Sequence, residues 1–293
     1  SAIFDSLYPD RVVVGSDNQR TGEVMYSLYR PLLEQSFKAP WYLPRPERMG
    51  AVPLISADLA SAELIKYAAN AFLALKISYI NEIGQLAEKV GADITQVAKG
   101  IGLDARIGTR FLQAGIGWGG SCFGKDTAAL VATASEYGLD ATIVKAARET
   151  NRKQRERVVE KLLDELKILK GRTVGLLGLA FKPDTDDLRE APALDIARKL
   201  IERGARVKAH DPVAMERFLE QYPDIDIALC ATPEAVAEDC DAVVLVTEWQ
   251  QYHDLDWESI KSSMRMPVVL DGRNHLDRAR LAKAGFRYLS LAG

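Results

Sequence analysis

The sequence predicts an α/β protein in which a central region of long helices precedes a Rossmann-like domain built on a parallel sheet. Apolar residues recur at intervals of three and four from Leu59 to Val90 with no proline between them, which indicates one long helix. Beyond Lys170-Gly171, short apolar runs alternate with helical stretches, a pattern typical of a parallel sheet covered by helices. These patterns divide the chain into residues 1–56, 57–169 and 170–293.

The N-terminal segment contains a strand-like run at residues 11–15 that no other strand precedes, and the sequence does not begin with Met. A strand needs a partner for its backbone hydrogen-bonding groups. We therefore expect this sequence to begin inside a longer natural chain.

The central region is predicted to hold the long helix, ended by Gly91, and then helices near residues 93–101, 125–137 and 141–169. Between residues 64 and 83 the long helix is apolar on nearly every side. We expect both of its sides to be buried, in part against a second subunit of a homodimer. The last helix has Arg, Lys and Glu in its middle, and we expect that part to be exposed.

The C-terminal region alternates regularly between strands and helices. Strands are predicted at residues 173–179, 206–209, 226–230, 242–247, 267–270 and 286–289. Helices are predicted at residues 191–203, 213–221, 233–238, 257–263 and 276–284. Because parallel strands need crossover connections, this order predicts one parallel sheet of ordinary domain size.

The composition argues against several kinds of partner. The 38 Lys and Arg nearly balance the 41 Asp and Glu, so we expect neither nucleic acid nor a membrane to bind. No apolar run reaches the ~18 residues of a membrane span, and no signal peptide is recognisable. Three scattered cysteines and three scattered histidines match neither a disulfide framework nor a metal site, which favours a reducing, cytoplasmic setting.

The strongest candidate for chemistry is the segment at residues 117–126, which reads Gly-Trp-Gly-Gly-Ser-Cys-Phe-Gly-Lys-Asp. Its glycines allow positive φ and a close approach of a ligand to the backbone. A helix predicted to begin at Lys125 and Asp126 would place its N-terminus and a lysine beside Cys122, which should favour the thiolate and nucleophilic attack. The alternative is a buried structural cysteine that follows a glycine turn.

A second candidate group lies on the long helix. Lys66 and Asn70 are one turn apart, and Asn81 follows three turns further along the same side. A Lys–Asn pair on a buried helix can donate hydrogen bonds to a developing oxyanion. Alternatively, Lys66 extends to solvent and Asn70 bonds to a neighbouring backbone. The spacing alone leaves both interpretations open.

In the C-terminal domain, residues 174–181 read as a strand and a glycine turn where Rossmann domains hold phosphate, although the pattern G-x-x-G-x-x-F is a weak signal. Asp211 ends the next strand, where an acidic side chain could meet a ribose. The extended segment 182–189 could carry Lys182 and Arg189 to a ligand outside the domain. The alternative is a solvated charged loop.

Asp271-Gly-Arg273 follows a later strand at the carboxyl edge of the predicted sheet, where an arginine can pair with phosphate through two N–H groups. The remaining cysteines and the histidines lack such a setting, and we interpret them as structural. They are Cys230, Cys240, His210, His253 and His275.

Together these segments resemble the UDP-glucose/GDP-mannose dehydrogenase family along the whole chain. The resemblance rests on Ser61-Ala-Glu-Leu-Ile-Lys-Tyr-Ala-Ala-Asn70, Arg106-Ile-Gly, Phe111-Leu-Gln-Ala-Gly115, the segment at 117–126, Gly178-Leu-Ala-Phe-Lys-Pro-Asp184 and Asp271-Gly-Arg273. It implies that NAD oxidises a nucleotide-sugar alcohol to an acid by two hydride transfers. Trp118 and Phe123 fit the branch that uses UDP-glucose, and GDP-mannose and UDP-N-acetylmannosamine are the rival substrates.

The same resemblance implies roles for individual residues. Cys122 would attack the intermediate aldehyde, Lys66 and Asn70 would bind substrate and stabilise oxyanions, and Asp126 would position or activate water. Further contacts to the nucleotide-sugar would come from Phe111, Leu112, Gln113, Ala114, Gly115, Gly119, Lys182 and Arg273. Arg106 would reach the site of a neighbouring subunit, and Lys125 and Arg189 would touch NAD.

The departure from the family is at the start of the chain. The family's chains begin with an NAD-binding Rossmann domain that carries a glycine-rich motif and a catalytic glutamate, and neither is recognised here. The resemblance makes residues 1–56 the end of that domain, 57–169 a dimerisation region with the catalytic loop, and 170–293 a UDP-sugar-binding domain.

We therefore expect this chain alone to lack turnover. A second hypothesis is a dimeric nucleotide-sugar binding module without catalysis. Cys122 and Asp126 argue against it, because binding alone needs no nucleophile.

Overall fold

The computed structural model describes residues 2–291, so the expected outer limits of the chain at residues 1 and 293 lie outside the described residues. The chain divides into two compact units, residues 1–69 and 70–293. Each unit has its own parallel sheet.

The first unit contains a strand–helix–strand motif. Helix α1 (Ala2–Leu7) precedes β1 (Val12–Gly15), α2 (Gln19–Leu33) and β2 (Leu54–Ala57). The two strands are parallel, with Val12 opposite Leu54. The run at residues 11–15 therefore pairs with a strand that follows it. The sequence pattern missed β2 because this strand is only four residues long and has no fully buried side chain.

Helix α3 (Leu59–Val90) has the bounds that the periodicity predicts. In the second unit, Phe72, Tyr79 and Leu86 recur every seven residues along it and are 61%, 52% and 59% exposed. The single chain therefore leaves this side of the helix exposed, and its predicted burial against a second subunit stays a prediction. A seven-residue apolar stripe is the spacing by which one helix packs against another.

Three further helices precede the large sheet: α4 (Ile94–Gly102), α5 (Ser121–Glu136) and α6 (Thr142–Leu166). Helix α5 begins four residues before the predicted start at residue 125. Helix α6 buries Asn151, Gln154 and Arg155 on one side, whereas Arg152 on the other side is exposed. The expectation that the charged middle of α6 is exposed is thus wrong for one face.

The second sheet follows with regular alternation, and the predicted Rossmann-like α/β class is confirmed. Its strands are β3 (Thr173–Leu177), β4 (Arg206–His210), β5 (Ile227–Leu229), β6 (Ala242–Leu245), β7 (Val268–Asp271) and β8 (Arg287–Ser290). All pairs are parallel, in the order β5-β4-β3-β6-β7-β8.

The helices of this domain are α7 (Pro192–Glu202), α8 (Met215–Gln221), α9 (Pro233–Ala237), α10 (Gln250–His253), α11 (Trp257–Ser263) and α12 (Arg278–Ala284). The sequence pattern missed α10, since four residues show no helical period. The other five agree with their predicted ranges to within two residues at either end.

The core lies on both faces of this sheet. Successive residues of β3 point to opposite sides, so Leu176 joins one buried cluster with Ile196 and Leu177 joins another with Trp257. Because both faces are covered, β3, β6 and β7 are buried along their whole length, and their apolar runs are a clear signal in the sequence. Within residues 2–291, no helix has both the length and the apolar character that crossing a membrane requires.

Candidate functional site

Cys122 occupies the first turn of α5, and it is exposed. The alternative of a buried structural cysteine is therefore wrong. The first backbone N–H groups of a helix have no partner within it and create positive potential. The structure thus places the thiol at the kind of helix end that the sequence analysis expected, but inside the helix and not on a loop before it.

Helix α5 begins early because Gly120 acts as its N-terminal cap. Gly120 has a φ of 84°, and its N–H donates to the Arg189 carbonyl at 2.9 Å. A Cβ at this position would lie 2.8 Å from the ring of Phe181. The glycines therefore admit close contact with other parts of the protein. The expectation that they leave room for a ligand against the backbone is wrong at this position.

Asp126 is fully buried one turn after Cys122, so both residues lie on the same face of α5. Nδ2 of Asn70 donates to Oδ2 of Asp126 at 2.7 Å. The ammonium of Lys125 lies 3.8 Å from Oδ1 of Asp126 and is largely exposed. The structure therefore brings a thiol, a carboxylate and an amide to one end of α5. Asn70 bonds to a side chain and not, as in the alternative interpretation, to a backbone group.

Lys66 lies one turn before Asn70 on α3, in the part of the chain that belongs to the first unit. Its Nζ is 4.9 Å from the ring centroid of Tyr67. Its role as an oxyanion ligand stays a prediction.

The backbone before α5 is held by side chains from other elements. Oδ1 of Asn81 accepts from the Gly115 N–H at 2.7 Å, and Nε2 of Gln154 donates to the Gly115 carbonyl at 2.7 Å. Asn151 bonds to both backbone groups of Trp118, and Nη2 of Arg155 donates to the Trp118 carbonyl at 2.9 Å. Sequence reasoning missed the three α6 residues, because polar side chains on a charged helix indicate exposure.

Arg273 connects the turn after β7 to this same backbone. Its Nη1 donates to the Gly117 carbonyl at 3.0 Å, and its Nε donates to the Val246 carbonyl at 2.7 Å and lies 3.1 Å from Oε2 of Glu248. Burial holds the pKa of the Arg273 guanidinium below its ordinary value, and the Glu248 carboxylate opposes that shift. A guanidinium has five N–H groups, and these bonds use Nε and one hydrogen of Nη1, so the two-pronged contact with phosphate stays a prediction.

A cavity of about 340 Å³ lies beside Arg273. This volume is typical of a pocket for part of a small-molecule ligand. Its lining includes four residues that the sequence analysis assigned to the nucleotide-sugar, namely Leu112, Gln113, Ala114 and Arg273. It also includes Thr95, Lys99 and Asn274, which sequence reasoning missed. Asn274 directly follows the Asp271-Gly-Arg273 motif, and that adjacency was the available signal.

The structure gives the surroundings of three other residues that were predicted to contact the substrate. Phe111 has a positive φ of 65°, and its ring meets that of Phe123 edge-on at 6.2 Å. Gly119 is buried against the Glu190 carbonyl. Arg106 is highly exposed and pairs with Asp104 within its own chain. Its reach into a neighbouring subunit stays a prediction.

The segment at residues 182–189 is anchored to the domain at some positions and exposed at others, so both interpretations of it stay open. Leu188 is fully buried, and the Phe181 N–H donates to the Asp187 carbonyl at 3.1 Å. Arg189 is exposed, and a hydrogen bond from its side chain to Asp187 is the main cause of its raised pKa. Lys182 is exposed beside the ring of Phe181. The segment therefore presents two surface cations.

Asp211 does not serve as a ribose ligand. It is fully buried at the end of β4. Its carboxylate accepts from the N–H groups of Leu179, Ala180, Val213 and Ala214 and from the indole of Trp249. Five donors occupy the oxygens, so the prediction that Asp211 meets a ribose is wrong.

The remaining cysteines and histidines have no place at the site. Cys240 is buried, and burial raises the pKa of its thiol to about 12. His210 is buried with its Nδ1 2.8 Å from the hydroxyl of Tyr252. In the part of the chain that the structure describes, no cluster of three or more His, Cys, Asp or Glu could hold a metal ion.

Comparison with known proteins adds the following. Residues 60–153 match the central domain of the UDP-glucose/GDP-mannose dehydrogenase family, and residues 175–278 match its UDP binding domain. The chain is 43% identical to the UDP-glucose 6-dehydrogenase TuaD of Bacillus subtilis (strain 168) over 99% of this chain and 59% of that protein. It is 44% identical to the UDP-glucose 6-dehydrogenase of Pseudomonas aeruginosa over 98% of this chain and 61% of that protein.

Among solved structures, a UDP-glucose dehydrogenase from the hyperthermophilic archaeon Pyrobaculum islandicum is similar with a TM-score of 0.86 and 38% identity. The similarity covers 100% of this chain and 61% of that one. The chain thus spans about three fifths of the length of the relatives that it matches.

Proposed function

The chain belongs to the UDP-glucose/GDP-mannose dehydrogenase family, and we propose that it supplies the thiol and the substrate site for the NAD-dependent oxidation of UDP-glucose to UDP-glucuronate. One observation carries the proposal. An exposed cysteine in the first turn of α5 shares a helix face with a buried carboxylate that is bonded to an amide. Binding a nucleotide-sugar needs no such group, whereas acyl transfer through a thiol does.

The protein's own groups act on the carbonyl that exists between the two oxidations. The Cys122 thiolate adds to the C6 aldehyde, a C–S bond forms, and the former carbonyl oxygen becomes an alkoxide. The second amide hydrogen of Asn70 would stabilise this oxygen, and the resemblance to the family assigns the same role to Lys66. Loss of the second hydride leaves a thioester, and a water held by Asp126 adds to it. The C–S bond then breaks, Cys122 leaves as a thiolate, and the acid forms with release of a proton.

Two molecules of NAD, bound one after the other, would each accept one hydride. The described residues fit the charged part of NAD: Lys125 and Arg189 are exposed cations near Cys122 and would contact its phosphates. Gly115, Gly117 and Gly120 formally spell the pattern G-x-G-x-x-G, but protein groups fill the space at each of them. We therefore expect the 293 residues alone to bind substrate without sustained formation of NADH.

Because the described residues fit only the charged part of NAD, a second candidate function is a nucleotide-sugar binding module without catalysis. The binding module would use the same substrate pocket as the enzyme, and the two candidates differ only in whether Cys122 reacts with the substrate. The cytoplasmic setting predicted from the cysteine pattern is part of both proposals.

The proposed assembly is a homodimer joined through α3. The exposed stripe of Phe72, Tyr79 and Leu86 supports it, because a stripe of this length and spacing on one helix is matched by a second copy of itself.

Calorimetric titration tests the substrate. We expect UDP-glucose to bind more tightly than GDP-mannose, and the reverse order would overturn the choice of substrate. Arg273→Ala should weaken UDP-glucose binding by about tenfold, since it removes a charged contact. Arg265→Ala is the matched control, because Arg265 is an exposed arginine that precedes β7 at the opposite edge of the sheet.

A reactivity experiment separates the enzyme from the binding module. The C6 aldehyde derivative of UDP-glucose should protect Cys122 from iodoacetamide more strongly than UDP does at equal occupancy, because it forms a reversible bond with the thiol. Equal protection by the two compounds would favour the binding module.

A further inference from the structure

Asn151 on α6 is only 3% exposed and uses both ends of its carboxamide on a single residue. Its Oδ1 accepts from the Trp118 N–H at 2.8 Å, and its Nδ2 donates to the Trp118 carbonyl at 3.0 Å. Two opposed hydrogen bonds fix both the position and the orientation of the Trp118 backbone. None of the roles proposed above uses this side chain.

The preceding residue is adapted to the same contact. Gly117 has a φ of 98°, and a Cβ there would overlap Oδ1 of Asn151. Any side chain at position 117 would therefore push the carboxamide away from Trp118. The glycine at this position is explained by Asn151 and not by a ligand.

The indole of Trp118 is held as well. Its Nε1 donates to Oγ of Ser78 at 3.1 Å, and that hydroxyl donates to the Ala147 carbonyl at 2.7 Å. Ser78 belongs to α3 and Ala147 to α6, so both helices restrain the ring. Trp118 therefore has its backbone and its side chain fixed from outside its own segment.

From Trp118, two short routes lead to Cys122. Along the chain, only Gly119 and Gly120 separate Trp118 from the first residue of α5. Gly119 is packed against the Glu190 carbonyl, and the Gly120 N–H donates to the carbonyl of the preceding Arg189. Through space, the Trp118 ring meets the ring of Phe123 edge-on at 6.0 Å. Phe123 is the residue directly after Cys122. A shift of Trp118 would thus reorient the first turn of α5 and, with it, the Cys122 thiol.

We propose that Asn151 is a positioning residue for Cys122. By fixing Trp118 it sets the direction in which the first turn of α5 presents the thiol and its free backbone N–H groups. Its importance for the reaction rests on the proposed function, but its effect on the thiol does not. Supporting residues that hold a reacting group within a fraction of an ångström are required for rapid reaction.

The test measures the rate of Cys122 alkylation by iodoacetamide across the range of about pH 6 to 10 in the 293-residue chain. Asn151→Asp keeps the shape of the side chain but replaces the donor to the Trp118 carbonyl with a repelling oxygen. Arg152→Ala is the matched control, because Arg152 is the adjacent α6 residue, is exposed and forms its ion pairs with Glu149 and Glu156. Thermal unfolding and UDP titration are measured on each variant.

We expect Asn151→Asp to change the alkylation rate at least about fivefold and to displace its pH midpoint, with UDP affinity within about twofold of the parent. The proposal would be overturned if the alkylation rate of Asn151→Asp showed the same dependence on pH as the rates of the parent and of Arg152→Ala. If Asn151→Asp does not fold, Ser78→Ala replaces it, since that change releases the indole of Trp118 and the Ala147 carbonyl but leaves the Asn151 bonds in place. An unchanged alkylation profile in that variant would show that the position of Trp118 does not affect Cys122 and would also overturn the proposal. Failure of UDP to bind the parent chain would instead count against the proposed function.

Discussion

Nδ2 of Asn70 lies 2.7 Å from Oδ2 of Asp126, and this hydrogen bond joins α3 to α5 one turn beyond Cys122. Asp126 is fully buried, and a buried carboxylate is stable only when donors satisfy its oxygens. An amide nitrogen carries two hydrogens, so the one that is not given to Asp126 can serve a ligand oxygen. A structural bond and a proposed catalytic contact thus share one nitrogen atom.

This bond predicts a cost in stability when Asn70 is removed. Asn70→Ala should lower the free energy of unfolding in urea by about 1–3 kcal/mol, because a buried acceptor loses its donor. Glu82→Ala, at an exposed position of the same helix, is the control. A loss no larger than that of the control would show that the bond does not stabilise the fold.

The three thiols are predicted to differ in reactivity. Burial raises the pKa of Cys240 to about 12 and also raises the pKa of Cys230. At pH 8 only about one Cys240 thiol in ten thousand would be ionised, and the thiolate is the form that reacts. Mass spectrometry after a short iodoacetamide pulse should find Cys122 modified first. Comparable labelling of all three would remove the argument for a nucleophile at the start of α5.

The apolar stripe on α3 predicts the assembly. Tyr79→Glu places a charge at the centre of the stripe and should shift the chain from dimer to monomer in light scattering coupled to gel filtration. Leu103→Glu, at another highly exposed apolar position outside α3, should leave the dimer intact. A parent chain that is already monomeric at micromolar concentration would contradict the proposed interface.

His210 predicts a pH dependence of stability. Burial lowers its pKa below the ordinary 6.5, so between these two values the unfolded chain binds a proton that the folded chain does not. The contribution of His210 is therefore present above pH 6.5 and is lost as the pH falls toward the lowered pKa. Urea unfolding from pH 7.5 down to pH 5 should show a decline that is smaller in His210→Gln.

The control for this prediction is Tyr252→Phe, which removes the hydroxyl partner but leaves the imidazole buried. It should be less stable than the parent at every pH and should keep the parent's slope. If His210→Gln and the parent decline in parallel, other groups cause the acid sensitivity.

The elements that the sequence predicted well are those whose signal is local. Helix α3 shows an unbroken period and a glycine stop, and strands such as β6 are apolar throughout because helices cover both faces. The family motifs also located the thiol, the carboxylate and the amide that the structure brings together. In each case, neighbours in the sequence carry the information.

The predictions that failed depend on contacts between residues that are distant in the sequence. The start of α5 was misplaced because Gly120 becomes a helix cap only when Arg189 and Phe181 pack against it. The prediction for Asp211 failed because three of its five donors lie in the connections that follow β3 and β6. The buried face of α6 was missed because its polar residues bond to a backbone more than 30 residues away in the sequence. Periodicity contains none of these contacts.

The restraints on residues 114–118 have a consequence for recombination between relatives. Asn81, Asn151 and Asn274 each bond to this short stretch of backbone, yet they are spread over most of the second unit. A chimaera whose crossover falls between residues 122 and 151 would combine residues 114–118 of one parent with the Asn151 and Asn274 side chains of the other. Viable exchanges should therefore keep residues 78–155 and the turn at 272–274 from a single parent.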